Sequence, residues 1–200
     1  MHSVGVGGHV LHGGYGFASH TYGLALDNLI SATVVLANST VVTASNTTNT
    51  DKFWALRGAG SSYGIVTSFQ FQTFPAPNSN IKFEYVFFFN QSEAQAAHAV
   101  LQNYANTTMS APMNMSFYIN VYAFSLTGAY YGNQTAFQSE ITPLLAQLGS
   151  PLVSSVQTMG WSDTLTSYAY GNLTTPLDSD MVSGSHFSAW KLTFRVADKP

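Results

Sequence analysis

Two glycine-rich segments hold the residues whose types and spacing are suited to chemistry. The first spans residues 4–16 and contains six glycines, and the second spans residues 58–64. Backbone without Cβ atoms lets successive N–H groups converge on an anion or lie flat against a planar ring. Taken alone, the segments favour tight turns between strands, with a site for a planar or phosphate-bearing cofactor as the alternative.

The first glycine segment does not fit the dinucleotide-binding fingerprint of the Rossmann fold. After Gly5 and Gly7, the third glycine is replaced by Val10, and no helical pattern of the expected length follows. The chain also lacks the Gly-Lys-Ser/Thr of a P-loop. We expect residues 1–23 to form a system of loops.

Three histidines among these glycines raise the alternative of a metal site. Imidazole is the commonest ligand for zinc and copper, and residues 4–23 carry His9, His12 and His20. The chain has no cysteine, and Asp27 is the only nearby carboxylate. We therefore expect no metal, histidines that pack beside glycine turns, and an Asp27 that accepts hydrogen bonds from loop amides.

A low charge density and short apolar runs exclude several kinds of partner. Only 8% of the 200 residues are charged, the formal net charge is −3, and there is no basic stripe to follow a phosphate backbone. Apolar runs such as residues 86–89 are far shorter than a membrane span requires. We expect neither a nucleic-acid partner nor a membrane partner.

Seven Asn-x-Ser/Thr sequons predict a secreted protein that carries N-glycans. Residues 1–5 lack the basic end and apolar stretch of a signal peptide, so we expect the chain to be part of a longer protein. The sequon asparagines are Asn38, Asn46, Asn90, Asn106, Asn114, Asn133 and Asn172.

Residue patterning predicts an α+β protein with a boundary in the proline-rich stretch 75–80, giving domains 1–76 and 77–200. Before the boundary we expect a hairpin of residues 30–36 and 40–44, a short helix capped by Thr50 or Asp51 and ended by Gly58, and a strand over 65–71. After it, strands 81–89, 113–123, 126–131 and 152–159 and helices 91–104 and 135–148 give the order βαββαβ. That order is typical of an antiparallel sheet with both helices on one face. A further short helix is expected over residues 161–170.

Aromatic residues of the second domain are candidates for stacking on sugar rings. Alternation along the strands favours core positions for most of them, namely Tyr85, Phe87, Phe89, Phe117, Tyr118 and Tyr122. Tyr130 and Trp161 lie at the ends of elements, where binding sites tend to lie. We predict these two as substrate-binding residues.

The order and spacing of several motifs within residues 4–75 resemble the FAD-linked oxidases of the berberine bridge enzyme and glucooligosaccharide oxidase group. The motifs are Val4-Gly5-Val6-Gly7-Gly8-His9, His12-Gly13-Gly14-Tyr15-Gly16, Gly23-Leu24-Ala25-Leu26-Asp27-Asn28, Asp51-Lys52-Phe53-Trp54-Ala55-Leu56-Arg57-Gly58-Ala59-Gly60 and Tyr63-Gly64-Ile65-Val66. His12 before two glycines, and Tyr130-Tyr131-Gly132, are most similar to fungal members that oxidise oligosaccharides.

The resemblance implies the C-terminal half of a PCMH-type FAD-binding domain, followed by a partial substrate domain that covers the flavin ring. It implies oxidation of a saccharide or related alcohol by hydride transfer to FAD, with oxygen as the electron acceptor. An amine, alkaloid or polyketide substrate is the main variation. The implied flavin contacts are Gly5, Val6, Gly7, Gly8, His9, Gly13, Gly14 and Gly16, with Gly64, Ile65 and Val66 at the ADP end.

The chain departs from the family pattern in parts that matter for catalysis. Met1 and His2 stand where members with doubly linked FAD carry Cys-Pro, so no thioether to the flavin is expected. The family's flavin-linked histidine and catalytic tyrosine are expected outside these residues, and we assign no catalytic residue. The 200 residues are thus expected to be an internal fragment that is inactive alone and binds FAD weakly. A non-catalytic glycan-binding or structural module and a histidine-based metalloenzyme are the alternatives.

Overall fold

A computed structural model describes residues 5–119 and 123–168. Its elements are α1 (Val6–Leu11), α2 (Ser19–Tyr22), β1 (Leu29–Val35), β2 (Val41–Ser45), α3 (Thr50–Ala59), β3 (Ile65–Phe71), β4 (Asn80–Phe87), α4 (Gln91–Thr107), β5 (Met113–Ile119), β6 (Phe124–Tyr130), α5 (Gln134–Leu148), β7 (Val153–Met159) and α6 (Trp161–Tyr168). Asn172, Tyr122 and the end of the predicted helix 161–170 lie outside the described residues.

The described residues form two compact units that divide between Pro75 and Ala76. Unit 1 contains residues 5–16 and 22–75, and unit 2 contains residues 17–21 and 76–168. Residues 17–21, which we call the strap, therefore group with the second unit although they lie within the first 76 residues. In the described part of the chain, no helix is both long enough and apolar enough to cross a membrane.

Unit 1 is a three-stranded antiparallel sheet with strand order β2-β1-β3 and helices packed on it. The predicted hairpin is confirmed, with Val35 opposite Val41 on either side of its turn. Ala32, Val34 and Phe69 of the sheet join Phe53 and Leu56 of α3 in the core, since all five side chains are buried in one cluster. The first glycine segment contains Val10 of this core, and the second lies between the core residues Leu56 and Phe69.

The predicted loop over residues 1–23 is wrong for residues 6–11, which form α1, and for residues 19–22, which form α2. Val10 is 1% exposed and lies in the core cluster, and Val6, four residues earlier, packs against that cluster. The two side chains lie on one helix face. Burial of this face outweighs the poor helix propensity of Gly7 and Gly8, because tertiary packing supplies most of the stability of short helices.

Helix α3 begins differently from the prediction. The residue at its N-cap is Asn49, with φ of 47°, and it makes no side-chain capping bond, so neither Thr50 nor Asp51 is the cap. Helical geometry breaks at Arg57 and at Gly58, whose φ is 128°, in agreement with the predicted end at Gly58. The chain then turns through residues 60–62 into β3.

Unit 2 is a four-stranded antiparallel sheet with the order β5-β6-β4-β7, and the predicted βαββαβ order is confirmed. Side chains directly opposite one another on paired strands point to the same face. Ile81 lies opposite Tyr130, which lies opposite Met113, and all three are buried in the core cluster that includes α4 and α5 residues. This is the helix face of the sheet.

The other side of the sheet, which we call the polar face, carries mostly polar side chains. Its central row consists of Asn114, Ala129, Lys82 and Gln157, one from each strand. The next row consists of Ser116, Thr127, Glu84 and Ser155. Alternation along β4 thus separates an apolar helix face from a polar face, as expected for a sheet with helices on one side.

Buried tyrosines of the helix face predict that stability falls at alkaline pH. Burial raises the pKa of Tyr104, Tyr85 and Tyr130 above the ordinary value of 10.0, and the Glu140 carboxylate raises the first and third further. The unfolded chain therefore ionises first as pH rises. The free energy of unfolding should therefore keep its full value below pH 10. Above pH 10 it should fall by up to about 1.4 kcal/mol per pH unit for each such tyrosine.

Urea unfolding of the chain between pH 8 and pH 11 measures this decline. Tyr104→Phe should make the decline with pH less steep, because it removes one titrating group. The same variant should lower the free energy of unfolding at pH 8 by about 1 kcal/mol, because the hydrogen bond of the hydroxyl is lost. A stability that stays constant to pH 11 would contradict the prediction.

Candidate functional site

The structure brings the two glycine segments together within unit 1. The side chain of Leu11, at the end of α1, packs against Gly60 so closely that a Cβ on that glycine would overlap Leu11 Cδ2. His12 Nε2 lies 3.2 Å from Ser61 Oγ, and His12 Nδ1 lies 3.1 Å from the Gly8 carbonyl oxygen. The end of the first glycine segment therefore contacts the second segment at Gly60 and Ser61.

Two of the predicted flavin-contact glycines are required by the fold itself. Gly14 has φ of 84°, and a Cβ there would overlap Ala25 Cβ and lie 3.0 Å from His9 Cδ2. Gly64 has φ of 145°, and a Cβ there would lie 2.7 Å from the Val35 carbonyl oxygen. Chain packing therefore explains the glycine at these two positions, whether or not a ligand binds there.

Other predicted contacts have open space above the backbone. A Cβ built on Gly5, Gly8, Gly13 or Gly16 meets no atom within 4 Å, whereas a Cβ on Gly7 would touch the Phe69 ring at 3.6 Å. Open space beside bare backbone leaves room for a planar ring or a phosphate group. The residues of this segment are therefore compatible with FAD, although α1 is too short to serve as a helical anion site.

Gly64, Ile65 and Val66 lie at the start of β3, which is an edge strand of the unit 1 sheet. Ile65 is 68% exposed, and Val66 is half-buried against the core cluster. An edge strand presents backbone N–H and C=O groups on its outer side. This placement suits the predicted backbone contacts at the ADP end of the cofactor.

The histidines and Asp27 have local structural roles. The His9 imidazole lies beside Gly14. The His12 ring nitrogens lie within hydrogen-bond distance of the Gly8 carbonyl oxygen and Ser61 Oγ. Asp27 Oδ2 accepts a hydrogen bond from the Leu24 amide at 2.8 Å, which confirms the prediction for this carboxylate. Within residues 5–119 and 123–168, no group of three or more His, Cys, Asp or Glu side chains is placed to hold a metal ion.

The two predicted substrate-binding residues have very different surroundings. Tyr130 is 7% exposed, and its ring packs at 5.7 Å from the ring of Phe137 in the core of unit 2. A stacking platform needs an exposed ring face, so this burial is at odds with a sugar-stacking role for Tyr130. Its neighbour Tyr131 lies with its ring 5.9 Å from that of Trp161, at an interplanar angle of 55°.

The strap adds residues that the sequence analysis missed. The Phe17 ring stacks on Tyr168 at 4.2 Å, and the Phe17 carbonyl accepts a hydrogen bond from the Tyr131 hydroxyl at 3.1 Å. Lys82 Nζ, on the polar face, lies 5.5 Å from the centre of the Tyr168 ring. An aromatic cluster of Phe17, Tyr131, Trp161 and Tyr168 thus lies on the polar-face side of unit 2.

The Tyr168 hydroxyl is a buried donor within this cluster. Among the described residues it has no hydrogen-bond partner, and burial raises the pKa of Tyr168 above its ordinary value. An unpaired buried hydroxyl costs free energy unless a ligand or water pairs with it. The cluster therefore combines ring faces with an unsatisfied donor, a combination suited to a saccharide.

Strand alternation was the signal that could have identified Tyr131. Phe124, Leu126 and Tyr130 occupy alternate positions of β6 and are all buried, which places the next residue, Tyr131, toward the other side. No sequence pattern indicates the contacts of Phe17, because they join residues more than a hundred positions apart.

Comparison with known proteins shows which family the chain resembles. Residues 1–45 match the FAD binding domain family. The chain is 49% identical over 169 residues to the xylooligosaccharide oxidase of Thermothelomyces thermophilus, and the alignment covers 84% of this chain and 34% of that protein. The chain thus spans about a third of the length of this relative.

Solved structures agree over most of the chain. A glucooligosaccharide oxidase from Acremonium strictum aligns with a TM-score of 0.84 and 38% identity, covering 90% of this chain and 38% of that one. A xylooligosaccharide oxidase from Myceliophthora thermophila in complex with xylobiose aligns with a TM-score of 0.79 and 48% identity, covering 84% and 36%. Over about a third of their length, the chain is therefore similar to the FAD-linked oxidases of the berberine bridge enzyme and glucooligosaccharide oxidase group.

Proposed function

We propose that the protein containing this chain is a secreted flavoprotein oxidase that acts on an oligosaccharide and passes electrons to oxygen. The observation that carries the proposal is the 48% identity, over 84% of this chain, with a relative whose structure contains xylobiose. When bound, FAD supplies the hydride acceptor for oxidation of the sugar's anomeric carbon. In this proposal residues 1–76 belong to the FAD-binding domain and residues 77–200 to a partial substrate domain.

The residues of unit 1 would hold the cofactor mainly through their backbone. Gly5, Gly8, Gly13 and Gly16 provide open space, and the outer edge of β3 provides peptide groups for the ADP end. Gly14 and Gly64 fix the turns that bring these segments into position. Val6 packs against the core and would act by anchoring α1.

The residues of unit 2 would bind the saccharide. Sugar rings present C–H faces to aromatic rings and hydroxyls to polar groups. Trp161 and Tyr131 offer ring faces, while the Tyr168 hydroxyl and Lys82 offer hydrogen-bond donors. Tyr130 is not among the proposed saccharide contacts, since its ring lies in the core.

The test uses the longest protein expressed from the gene, purified with flavin. Xylo- and glucooligosaccharides should bleach the flavin absorbance without oxygen, and admission of oxygen should restore it with release of hydrogen peroxide. Saccharide affinity with no flavin reduction would instead support the non-catalytic glycan-binding module. Reduction by simple alcohols or amines but by no saccharide would overturn the proposed substrate class.

The 200 residues alone are proposed to be inactive and to bind FAD weakly, because they span about a third of the relatives' length. Titration of FAD into this chain, followed by flavin fluorescence and peroxide release, tests the statement. A yellow, active, monomeric product would overturn it.

Trp161→Ala should raise KM for oligosaccharides about tenfold, equivalent to about 1.4 kcal/mol of lost binding, because a sugar would lose the ring on which it stacks. Tyr130→Phe is the matched control: it keeps the buried ring and should leave KM unchanged. Steady-state peroxide release gives both values. A KM that responds to Tyr130→Phe and not to Trp161→Ala would restore the original assignment of Tyr130.

A further inference from the structure

We propose that five of the sequons are glycan acceptors, that Asn114 is not one, and that the acceptors of unit 2 lie at the ends of the helices that pack on its helix face. The proposed acceptors are Asn38, Asn46, Asn90, Asn106 and Asn133. This inference rests on the secretory route proposed above. Asn172 lies outside the described residues and is not assigned.

The five acceptors are exposed and lie in turns or at helix ends. Asn38 is in the β1–β2 turn, and Asn46 follows β2. In unit 2, Asn90 is the N-cap of α4, Asn106 lies in its last turn, and Asn133 is the N-cap of α5. Acceptor asparagines must be accessible, and these positions place each one at the surface.

The capping role of two acceptors is compatible with a glycan. Asn90 Oδ1 accepts from the Glu93 amide at 3.0 Å, and Asn133 Oδ1 accepts from the Ala136 amide at 2.8 Å. A glycan is attached at Nδ2, which donates to no described residue at either position. Both helices therefore keep their N-terminal hydrogen bonds after modification.

The modification itself is a group transfer without redox change. The sugar donor is an oligosaccharide linked to a polyprenyl diphosphate. A bond forms between asparagine Nδ2 and C1 of the first sugar, the bond from C1 to the diphosphate oxygen breaks, and Nδ2 loses one proton. The polyprenyl diphosphate leaves.

Asn114 has both ends of its amide occupied and is 3% exposed. Its Oδ1 accepts from the His20 amide at 2.9 Å, and its Nδ2 donates to Thr21 Oγ1 at 2.6 Å and to the Pro112 carbonyl at 3.3 Å. Thr21 Oγ1 in turn donates to the Ala111 carbonyl at 2.7 Å. The side chain therefore clamps the strap onto unit 2.

A glycan on Asn114 is incompatible with this clamp. The sugar would replace an Nδ2 hydrogen that makes these bonds, and it would need space in a buried position. Buried polar groups that lose their partners are costly, so a chain modified here would not close the strap. The folded protein should therefore contain only unmodified Asn114.

The distribution of acceptors distinguishes the two sides of unit 2. Its three acceptors all lie at the ends of α4 and α5, which pack on the helix face. Asn114 is the only sequon asparagine among the described residues of the polar face. None of the three acceptors of unit 2 therefore lies on the side proposed to bind saccharide.

The experiment secretes the full chain from yeast behind a leader peptide and isolates the folded fraction. Enzymatic glycan release in heavy-oxygen water, followed by peptide mass spectrometry, should mark Asn38, Asn46, Asn90, Asn106 and Asn133 and leave Asn114 unmarked. Glycan on Asn114 in folded protein, or none on the five, would overturn the inference. Peroxide assays are not involved, so this outcome is separate from the test of the oxidase.

Two variants provide matched controls for these assignments. Ser116→Ala destroys the Asn114 sequon while keeping the clamp, and the secreted chain should keep the same number of glycans. Thr135→Ala destroys the Asn133 sequon while keeping the helix cap, and the chain should lose one glycan. A glycan lost on Ser116→Ala would contradict the assignment even if site mapping of the parent were incomplete.

Discussion

Gly128→Ala should destabilise unit 2 by at least about 3 kcal/mol, a large part of the stability of an ordinary domain. Gly128 lies in β6, between Met115 of β5 and Phe83 of β4. A Cβ there would overlap the Asn114 carbonyl oxygen and lie 2.7 Å from Phe83 Cζ and 2.9 Å from Met115 Cα. Two of these three contacts are with backbone atoms, so the central strands would have to separate.

Urea unfolding followed by far-ultraviolet circular dichroism measures this effect. Gly160→Ala is the matched control in the same unit, because its Cβ would meet only Asp163 Oδ2 at an ordinary contact distance of 3.6 Å. The control should change stability by no more than about 0.5 kcal/mol. Equal stability of the two variants would show that the strands adjust to the extra methyl group.

Glu140→Gln should destabilise unit 2 by about 2–3 kcal/mol, because one carboxylate accepts three hydrogen bonds. Its Oε1 accepts from the Tyr104 hydroxyl at 2.6 Å and from the Ser110 amide at 2.9 Å, and its Oε2 accepts from Ser110 Oγ at 2.5 Å. In glutamine an NH₂ group replaces one of the two oxygens. At least one of the three hydrogen-bond donors would then face another donor and lose its acceptor.

The same substitution should also weaken oxidation of oligosaccharides. Ser110 begins a loop whose Ala111 carbonyl binds Thr21 and whose Pro112 carbonyl accepts from the Tyr131 amide at 3.0 Å. Glu140 is thus a positioning residue for the aromatic cluster. We expect KM to rise with little change in kcat, measured by peroxide release in the longest available protein.

Gln138→Ala serves as the control for Glu140→Gln, since Gln138 is an exposed residue of the same helix. It should leave both stability and KM unchanged. If Glu140→Gln lowers the stability but leaves KM unaltered, the carboxylate has a structural role alone.

Local patterns were sufficient to predict most of the fold. The alternation of Ile81, Phe83, Tyr85 and Phe87 identified β4 and its buried side. Side-chain period and turn residues are properties of neighbouring positions, so a single sequence contains them. The order of strands and helices in unit 2 followed from these signals.

The features that were missed depend on partners distant in sequence. Helix α1 forms because Val10 enters a core built from residues 29–69, although its glycines disfavour a helix. Asn114 was recognised only as a sequon, since its bonding partner His20 lies 94 positions earlier. Local sequence contains no information about such a pairing.

The strap has a consequence for how this architecture can be rearranged. Unit 2 is not a contiguous stretch of chain, because residues 17–21 belong to it while residues 5–16 and 22–75 belong to unit 1. A gene segment cut at residue 76 would leave Asn114 and Tyr168 without Thr21 and Phe17. A chimera that joins two relatives at residue 76 would combine the strap of one parent with the rest of unit 2 from the other, and the two parts would have to fit. We therefore expect the two units to be inherited together.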